Sequence, residues 1–400
     1  MPLITSVQGV LAVLVGVAAF WFFVEKITGW KLFQFMPPLI FIYLTPVVLS
    51  NTGVLTGESP VYGVLRHIGL PAFIVLLLLG IDVGAAVRVM GKGVLVMLLG
   101  TAGVVLGAPV AYLVVKGMLA PEAWIGFGAL AGSWIGGTGN MAATFAAIAP
   151  AQGEPGREMA DAMFGLAVLA DNAVYIVWLP LLLASKSFAE RFNKWARVPA
   201  DRLEKMEAAA AEMAASKVDR APTMVDYLNL GVITAVVIAI GSWLAPLIPP
   251  ITLGGEAVVT ASTYNILIVT TLGIALSFTP ARRIPGSHEI AMAIVYVFVA
   301  RMGAVASLAG LAQAPAFILG AFLWIFIHGL FVLGGAWLFR VDVHSAAIAS
   351  AANIGGAASA PVVASAHRES LVPVSILMAL IGYAVGNYAA FLAATLCRLV

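Results

Sequence analysis

Apolar residues run through this chain in blocks about as long as a bilayer crossing, separated by short polar turns. About 20 consecutive apolar residues of helix span the hydrocarbon core. Stretches of that kind fall near 6–24, 35–51, 66–87, 93–115, 158–184, 226–248, 257–279, 289–311, 314–338 and 371–397. Two further apolar stretches, 123–149 and 345–366, differ in carrying a Gly-Gly pair near their middle. The pattern predicts an all-α polytopic membrane protein with ten spanning helices plus two broken or re-entrant Gly-Gly helices. No basic residue precedes the apolar run Val10–Val24, and the first one, Lys26, follows it. That run therefore reads as a spanning helix rather than a cleaved leader.

The two halves resemble each other. Ala131–Asn140 can be laid on Ser350–Ser359 with a shift of 219, which superposes Ile135-Gly136-Gly137 on Ile354-Gly355-Gly356. The same shift sets Asp82 opposite Arg301 and brings the flanking apolar runs into matching order. This is the signature of an internal duplication: residues 1–185 form a first membrane repeat and 226–400 a second. Between them, 186–225 carries eight basic residues (Lys186, Arg191, Lys194, Arg197, Arg202, Lys205, Lys217, Arg220). It reads as a cytoplasmic linker, with an amphipathic helix from Asp201 to Ser216 whose start has the Asp-x-x-Glu spacing of a capped helix (Asp201, Glu204).

Charge placement orients the repeats, because cytoplasmic loops carry the excess of Lys and Arg. If all twelve apolar stretches cross, 14 basic residues lie on the linker side and 6 on the other. If the two Gly-Gly stretches instead enter and leave on one side, the division becomes 16 against 4. The second arrangement fits better, and it makes the repeats inverted.

Composition removes other classes. Of 400 residues, 62% are hydrophobic and 10% charged, and the mean hydropathy is +1.03. A soluble domain carries about 25% charged residues, so lipid must be the solvent and the bilayer the first partner. A net charge of +2 gives no reason to expect nucleic acid. The single cysteine, Cys397, excludes internal disulfides and thiolate metal clusters. No His-Glu-x-x-His and no P-loop sequence occurs. Neither an enzyme nor a nucleotide-driven pump is therefore expected, and no cofactor or metal beyond a coupling Na⁺.

The remaining polar residues mark the chemistry. A helix broken at Gly136-Gly137 leaves two arms of about 12 residues, each about 18 Å long and reaching just past the middle of a bilayer. Lipid cannot satisfy the freed backbone groups, so broken helices occur where protein, water or ligand does. Ser133, Thr138, Gly139 and Asn140 flank the first break; Asn353 and Ser359 flank Gly355-Gly356. An arm starting at the break also aims its positive dipole end at the midplane. One Gly-Gly alone reads as tight helix packing, whereas two in matching repeats read as a substrate site, and the dipole ends suggest a small organic anion. Asp171 lies deep in an apolar helix, beside Asn172, where an uncompensated carboxylate is costly and functional by default. With Asn387 at the nearest matching place in the second repeat, these three form the expected cation site. Asp82 and Arg301, related by the pseudo-two-fold axis of inverted repeats, are candidates for a buried pair.

Gly132-Ser-Trp-Ile-Gly-Gly-Thr-Gly-Asn140, Asp171-Asn172 and Asn353-Ile-Gly-Gly356 resemble the YjcL-like membrane proteins of domain-of-unknown-function family 819. That family in turn resembles the cation:proton antiporter/anion transporter group. The resemblance implies inverted repeats with paired broken helices in a mobile core. It also implies a titrating role for Asp171, because sodium/proton exchangers of that group carry an Asn-Asp or Asp-Asp pair on the helix after the first broken one. Here the order is Asp-Asn. The expectation is a secondary transporter of a small solute coupled to Na⁺ or H⁺. It would work by elevator-type alternating access, with a core of 93–184 and 314–397 moving against a scaffold of 1–90 and 226–311. A bacterial cytoplasmic membrane location and a homodimer built through the scaffolds accompany it. The rival readings are a Na⁺/H⁺ antiporter without organic substrate and a non-transporting scaffold or sensor.

Overall fold

The computed structural model describes residues 2–30, 32–35, 38–151, 153–202, 204–209, 220–253, 256–306 and 311–400. The first half is built from α1 (Val7–Thr28), α2 (Pro38–Asn51), α3 (Pro60–Leu79), the short α4 (Val83–Met90), α5 (Lys92–Val115), α6 (Ala123–Ile148) and α7 (Arg157–Ala184). After a short α8 (Ala189–Trp195) the second half repeats the order: α9 (Met224–Leu244), α10 (Ala261–Ser277), α11 (Ser287–Ala304), α12 (Ala314–Phe339), α13 (Val343–Ile354), α14 (Gly356–His367) and α15 (Val372–Leu399). Among the described residues, 8 helices are long and apolar enough to cross a membrane. The shorter apolar helices α2 and α10 occupy matching places in the two halves. A two-stranded ribbon, β1 (Ile251–Leu253) and β2 (Glu256–Val259), precedes α10.

The duplication extends to the backbone. Gly136 has φ −137° and ψ 17°, and its counterpart Gly355 has φ −123° and ψ 1°. Gly137 (φ 72°) and Gly356 (φ 58°) both enter the left-handed region, where a side chain is strained. Two residues 219 apart therefore break their helices in the same way. The chain reverses at each break. Were α6 straight, Gly128 and Ile148 would be about 30 Å apart, yet a Cβ on Gly128 would stand 2.9 Å from Ile148 Cδ1. In the second element His344 Nδ1 lies 3.0 Å from His367 Nδ1, across 23 residues. Both Gly-Gly elements are thus re-entrant hairpins, hairpin 1 (α6) and hairpin 2 (α13 and α14).

Contacts at the two ends of the helices fix the topology. At one end Lys116 Nζ bonds the Val400 carbonyl, Arg66 Nη2 reaches Ala146 O (3.2 Å), and Asn51 Nδ2 reaches Ala306 O (3.2 Å). At the other, Arg202 meets Asp342 (3.1 Å), Arg282 meets Asp82 (3.3 Å), and Lys186 Nζ bonds Ala366 O (2.8 Å). Following the chain between these ends, α1 runs toward the linker end and α9 runs away from it. Hairpin 1 opens at the far end and hairpin 2 at the linker end. The repeats are inverted, in the arrangement that places 16 basic residues with the linker. Packing is reciprocal as well: α2 lies on α11 as α10 lies on α3, and α1 lies on α11 as α9 lies on α3. The helices α5, α7, α12 and α15 pack with the two hairpins as a second group.

Some boundaries differ from the sequence expectation. The helix expected over 66–87 covers Pro60–Leu79 instead, and the chain turns at Gly80 before Asp82. Apolar content alone did not show that turn, since Val83–Met90 is also largely apolar. The amphipathic helix expected over Asp201–Ser216 is helical at 204–209, and from 210 onward it lies outside the described residues. The linker that is described docks on hairpin 2. Asp342 caps α13 by accepting from Ser345 N (2.9 Å) and Ser345 Oγ (2.8 Å) while it holds Arg202. At the start of α9, Thr223 and Asp226 form a capping box, and Arg220 donates twice to Asp226 at 2.7 Å.

Candidate functional site

Asp171 sits fourteen residues into α7, about 21 Å from its start. At that depth a carboxylate needs partners, and hairpin 1 supplies two. Ser133 Oγ donates to Asp171 Oδ2 (2.7 Å) and Trp134 Nε1 donates to Oδ1 (2.9 Å). Both donors come from the turn just before the Gly136-Gly137 break and are fully enclosed. Each carboxylate oxygen thus holds one neutral donor, and Asp171 lines a cavity.

That cavity has a volume of about 390 Å³ and lies between the two groups of helices. Its polar wall is made by Ser133, Gly136, Gly137, Thr138, Gly139, Asp171, Asn172, Gly355 and Ser359. The opposite wall is apolar and aromatic, from Phe22 on α1, Pro38 and Leu39 on α2, Phe73 and Leu77 on α3, and Met292, Val295 and Tyr296 on α11. His288, exposed at the start of α11, marks the side toward the linker end. At the far end the base of hairpin 1 is tied to the first group: Thr263 Oγ1 donates to Ala147 O (3.0 Å) and Arg66 to Ala146 O. The cavity therefore faces the linker side.

The hairpin tips are held by a residue that the sequence reading passed over. Tyr383 on α15 accepts the Asn140 amide at its carbonyl (3.0 Å) and the Ala357 N–H at its hydroxyl (3.0 Å). Its ring lies against both breaks: a Cβ on Gly137 would be 3.2 Å from Tyr383 Cε1, and one on Gly356 would be 3.1 Å from its hydroxyl. The α15 backbone passes so close that a Cβ on Gly382 would collide with Ile135 O, and one on Gly386 with the Asn140 amide. Gly382-x-x-x-Gly386 is the small-residue spacing that lets membrane helices approach closely, and it was the available signal. Tyr175, Tyr296 and Phe73 were likewise found only through the cavity.

Of the predicted residues, nine therefore meet at one place. Asn140 and Gly356 sit just behind the tips, on Tyr383. Asn172 lines the cavity while its amide donates to Val168 O (2.7 Å). Asn353 is buried away from it: its amide joins Thr101 Oγ1 (2.9 Å), or, with the amide turned over, donates to Met97 O and Ala349 O. Asn387 donates to Thr270 Oγ1 (2.8 Å) on α10 rather than joining Asp171. Asp82 and Arg301 are not brought together. Arg282 is the cation set against Asp82. Arg301 is 4% exposed, over the rings of Tyr62 (5.9 Å) and Phe298 (5.8 Å), near Arg66 and the buried Arg157–Asp161 pair. Asp82 follows the linker-side end of α3 and Arg301 lies in the far-side part of α11, so the inversion that relates the repeats sets them toward opposite faces.

Fold and cavity together define a multi-pass α-helical membrane protein with inverted repeats, two re-entrant hairpins and a carboxylate, Asp171, facing the cavity. The chain belongs to the family described as Protein of unknown function (DUF819), which it matches over residues 12–399. It is similar to the Uncharacterized membrane protein YjcL of Bacillus subtilis (strain 168), with 28% identity over 354 residues, covering 86% of this chain and 85% of that one.

Proposed function

We propose that this protein is a secondary transporter of a small solute, driven by a Na⁺ or H⁺ gradient. The observation that carries the proposal is Asp171: a carboxylate at membrane depth, held by the stem of one re-entrant hairpin and facing a cavity between two helix groups. Such a residue needs a cation or a proton to cross an apolar passage, which is the coupling a gradient-driven carrier requires. The group bearing both hairpins, α5–α7 with α12–α15, is the mobile core, and α1–α3 with α9–α11 is the scaffold. Movement of the core would carry the cavity from the linker side to the far side, an elevator-type alternating access. The cavity volume of about 390 Å³ lies in the range of small-molecule sites and favours a solute over an ion alone. The membrane is the bacterial cytoplasmic membrane, with the basic linker inside, and homodimerisation through the scaffold is expected.

The test is flux in proteoliposomes under an imposed Na⁺ or H⁺ gradient. Wild-type protein is expected to move the gradient ion. Asp171→Asn, which keeps the size of the side chain, should abolish driven flux while the purified protein still elutes as a single folded species. Full gradient-driven flux by that variant would refute the assignment.

A further inference from the structure

The cavity also narrows the solute class, and this step rests on the transporter reading. We propose that the solute is a small organic cation with an apolar body, an alkyl or aryl ammonium, exchanged for a proton at Asp171.

The first observation is charge. Among the described residues lining the cavity, Asp171 is the one carboxylate, and neither Lys nor Arg is present. The other titratable groups facing it are His288, Tyr175, Tyr296 and Tyr383. His288 is exposed at the mouth, where solvent screens whatever charge it carries. A carboxylate solute would bring a second negative charge into this space with no side-chain cation to meet it.

The second observation is the direction of the hydrogen bonds. An anion needs donors, and the amide donors near the tips are already committed. Asn140 gives its amide to Tyr383 O, Ala357 N–H is taken by the Tyr383 hydroxyl, and Asn172 gives its amide to Val168 O. Asn353 points into the α5 interface in either amide orientation, and Ser133 and Trp134 serve Asp171. At the positive end of α14, which would attract an anion, the Ala357 N–H is thereby occupied by Tyr383. What remains on offer is the carboxylate, an acceptor, with the neutral hydroxyls of Thr138, Tyr175, Tyr296 and Tyr383, none of which brings a positive charge.

The third is the wall. Phe22, Phe73, Tyr175, Tyr296 and Tyr383 surround the space, with Tyr296 braced edge-on by Phe22 at 4.6 Å. Aromatic faces attract ammonium groups, most strongly when both are desolvated.

Exchange follows from there being one carboxylate. In a low-dielectric passage it tolerates one compensating positive charge. A proton and an ammonium together leave an excess charge, and neither leaves a bare carboxylate. The core that crosses is loaded with one or the other, so each organic cation entering sends one proton out.

Full-length protein in proteoliposomes containing a pH dye tests this with benzyltrimethylammonium, which carries no proton and does not cross lipid uncharged. Added outside at equal pH, it is expected to make the lumen alkaline, and an acid lumen should speed its uptake at least tenfold. Asp171→Asn should lose both responses. Tyr296→Leu, which keeps an apolar side chain but removes the ring, should raise the half-saturating concentration about tenfold, the size of one desolvated cation–π contact. Uptake of benzoate driven by Na⁺ or H⁺, with benzyltrimethylammonium inert, overturns the cation class and leaves the transporter reading standing. Sodium–proton exchange with both probes inert overturns the class in favour of a plain antiporter. Absence of any gradient-driven flux overturns both.

Discussion

Replacing Gly137 by alanine tests the hairpin tip on which the site depends. Gly137 has φ 72° and ψ −174°, a region open essentially to glycine alone, where another residue costs about 1–3 kcal/mol. The new methyl would also lie 3.2 Å from Tyr383 Cε1, tighter than ordinary contact, and Tyr383 cannot retreat without releasing the Asn140 amide and Ala357 N–H that it holds. Adding about 1 kcal/mol for that crowding gives a loss of about 2–4 kcal/mol. The control is Gly16→Ala in α1, where a Cβ would meet nothing within 4 Å; removing a mid-helix glycine there should be neutral or stabilise by about 0.5–1 kcal/mol. Denaturant titration in detergent, followed by tryptophan fluorescence, measures both. A Gly137→Ala midpoint within error of wild type would refute the tip geometry. Transport should fall in the same variant, because Ser133 and Trp134, which hold Asp171, lie at the same break.

Two further outcomes follow from the packing. Arg157→Ala leaves Asp161 buried without the cation that donates to it at 2.9 and 2.8 Å, a loss of about 3–5 kcal/mol that should show as poor recovery of folded protein; Lys194→Ala, which opens the exposed pair with Glu190, should recover like wild type. Single cysteines replacing Glu122 and Glu154, at the two ends of hairpin 1, should react with a membrane-impermeant maleimide from one face, and a cysteine replacing Lys186 from the opposite face, with buried Cys397 silent throughout. Labelling of the Glu122 and Glu154 positions from opposite faces would contradict the re-entrant hairpin.

Much of this was legible in one dimension because lipid imposes a simple code. A helix that satisfies its own backbone and faces hydrocarbon must be apolar for about 20 residues, so the runs, the linker and the basic residues beside it gave spans and orientation directly. The two Gly-Gly breaks were readable for the same reason, since unpaired backbone at that depth needs a cause, and their spacing of 219 exposed the duplication. Asp171 stood out because a carboxylate inside such a run is penalised. What hydropathy could not convey was which polar groups turn toward one another. Asn140, Asn353 and Asn387 look equivalent in sequence, yet one holds Tyr383, one Thr101 and one Thr270. The expected Asp82–Arg301 pair failed because the inversion puts the matching ends of α3 and α11 toward opposite faces. Tyr383 is one tyrosine among 9 until α15 is threaded between the tips. The sequence by itself determined the solvent, the repeats and the depth of the charge, because these depend on residues near one another along the chain. Tertiary structure alone decided the commitment of the donors and the aromatic wall, because these depend on contacts between residues as far apart as Asn140 and Tyr383.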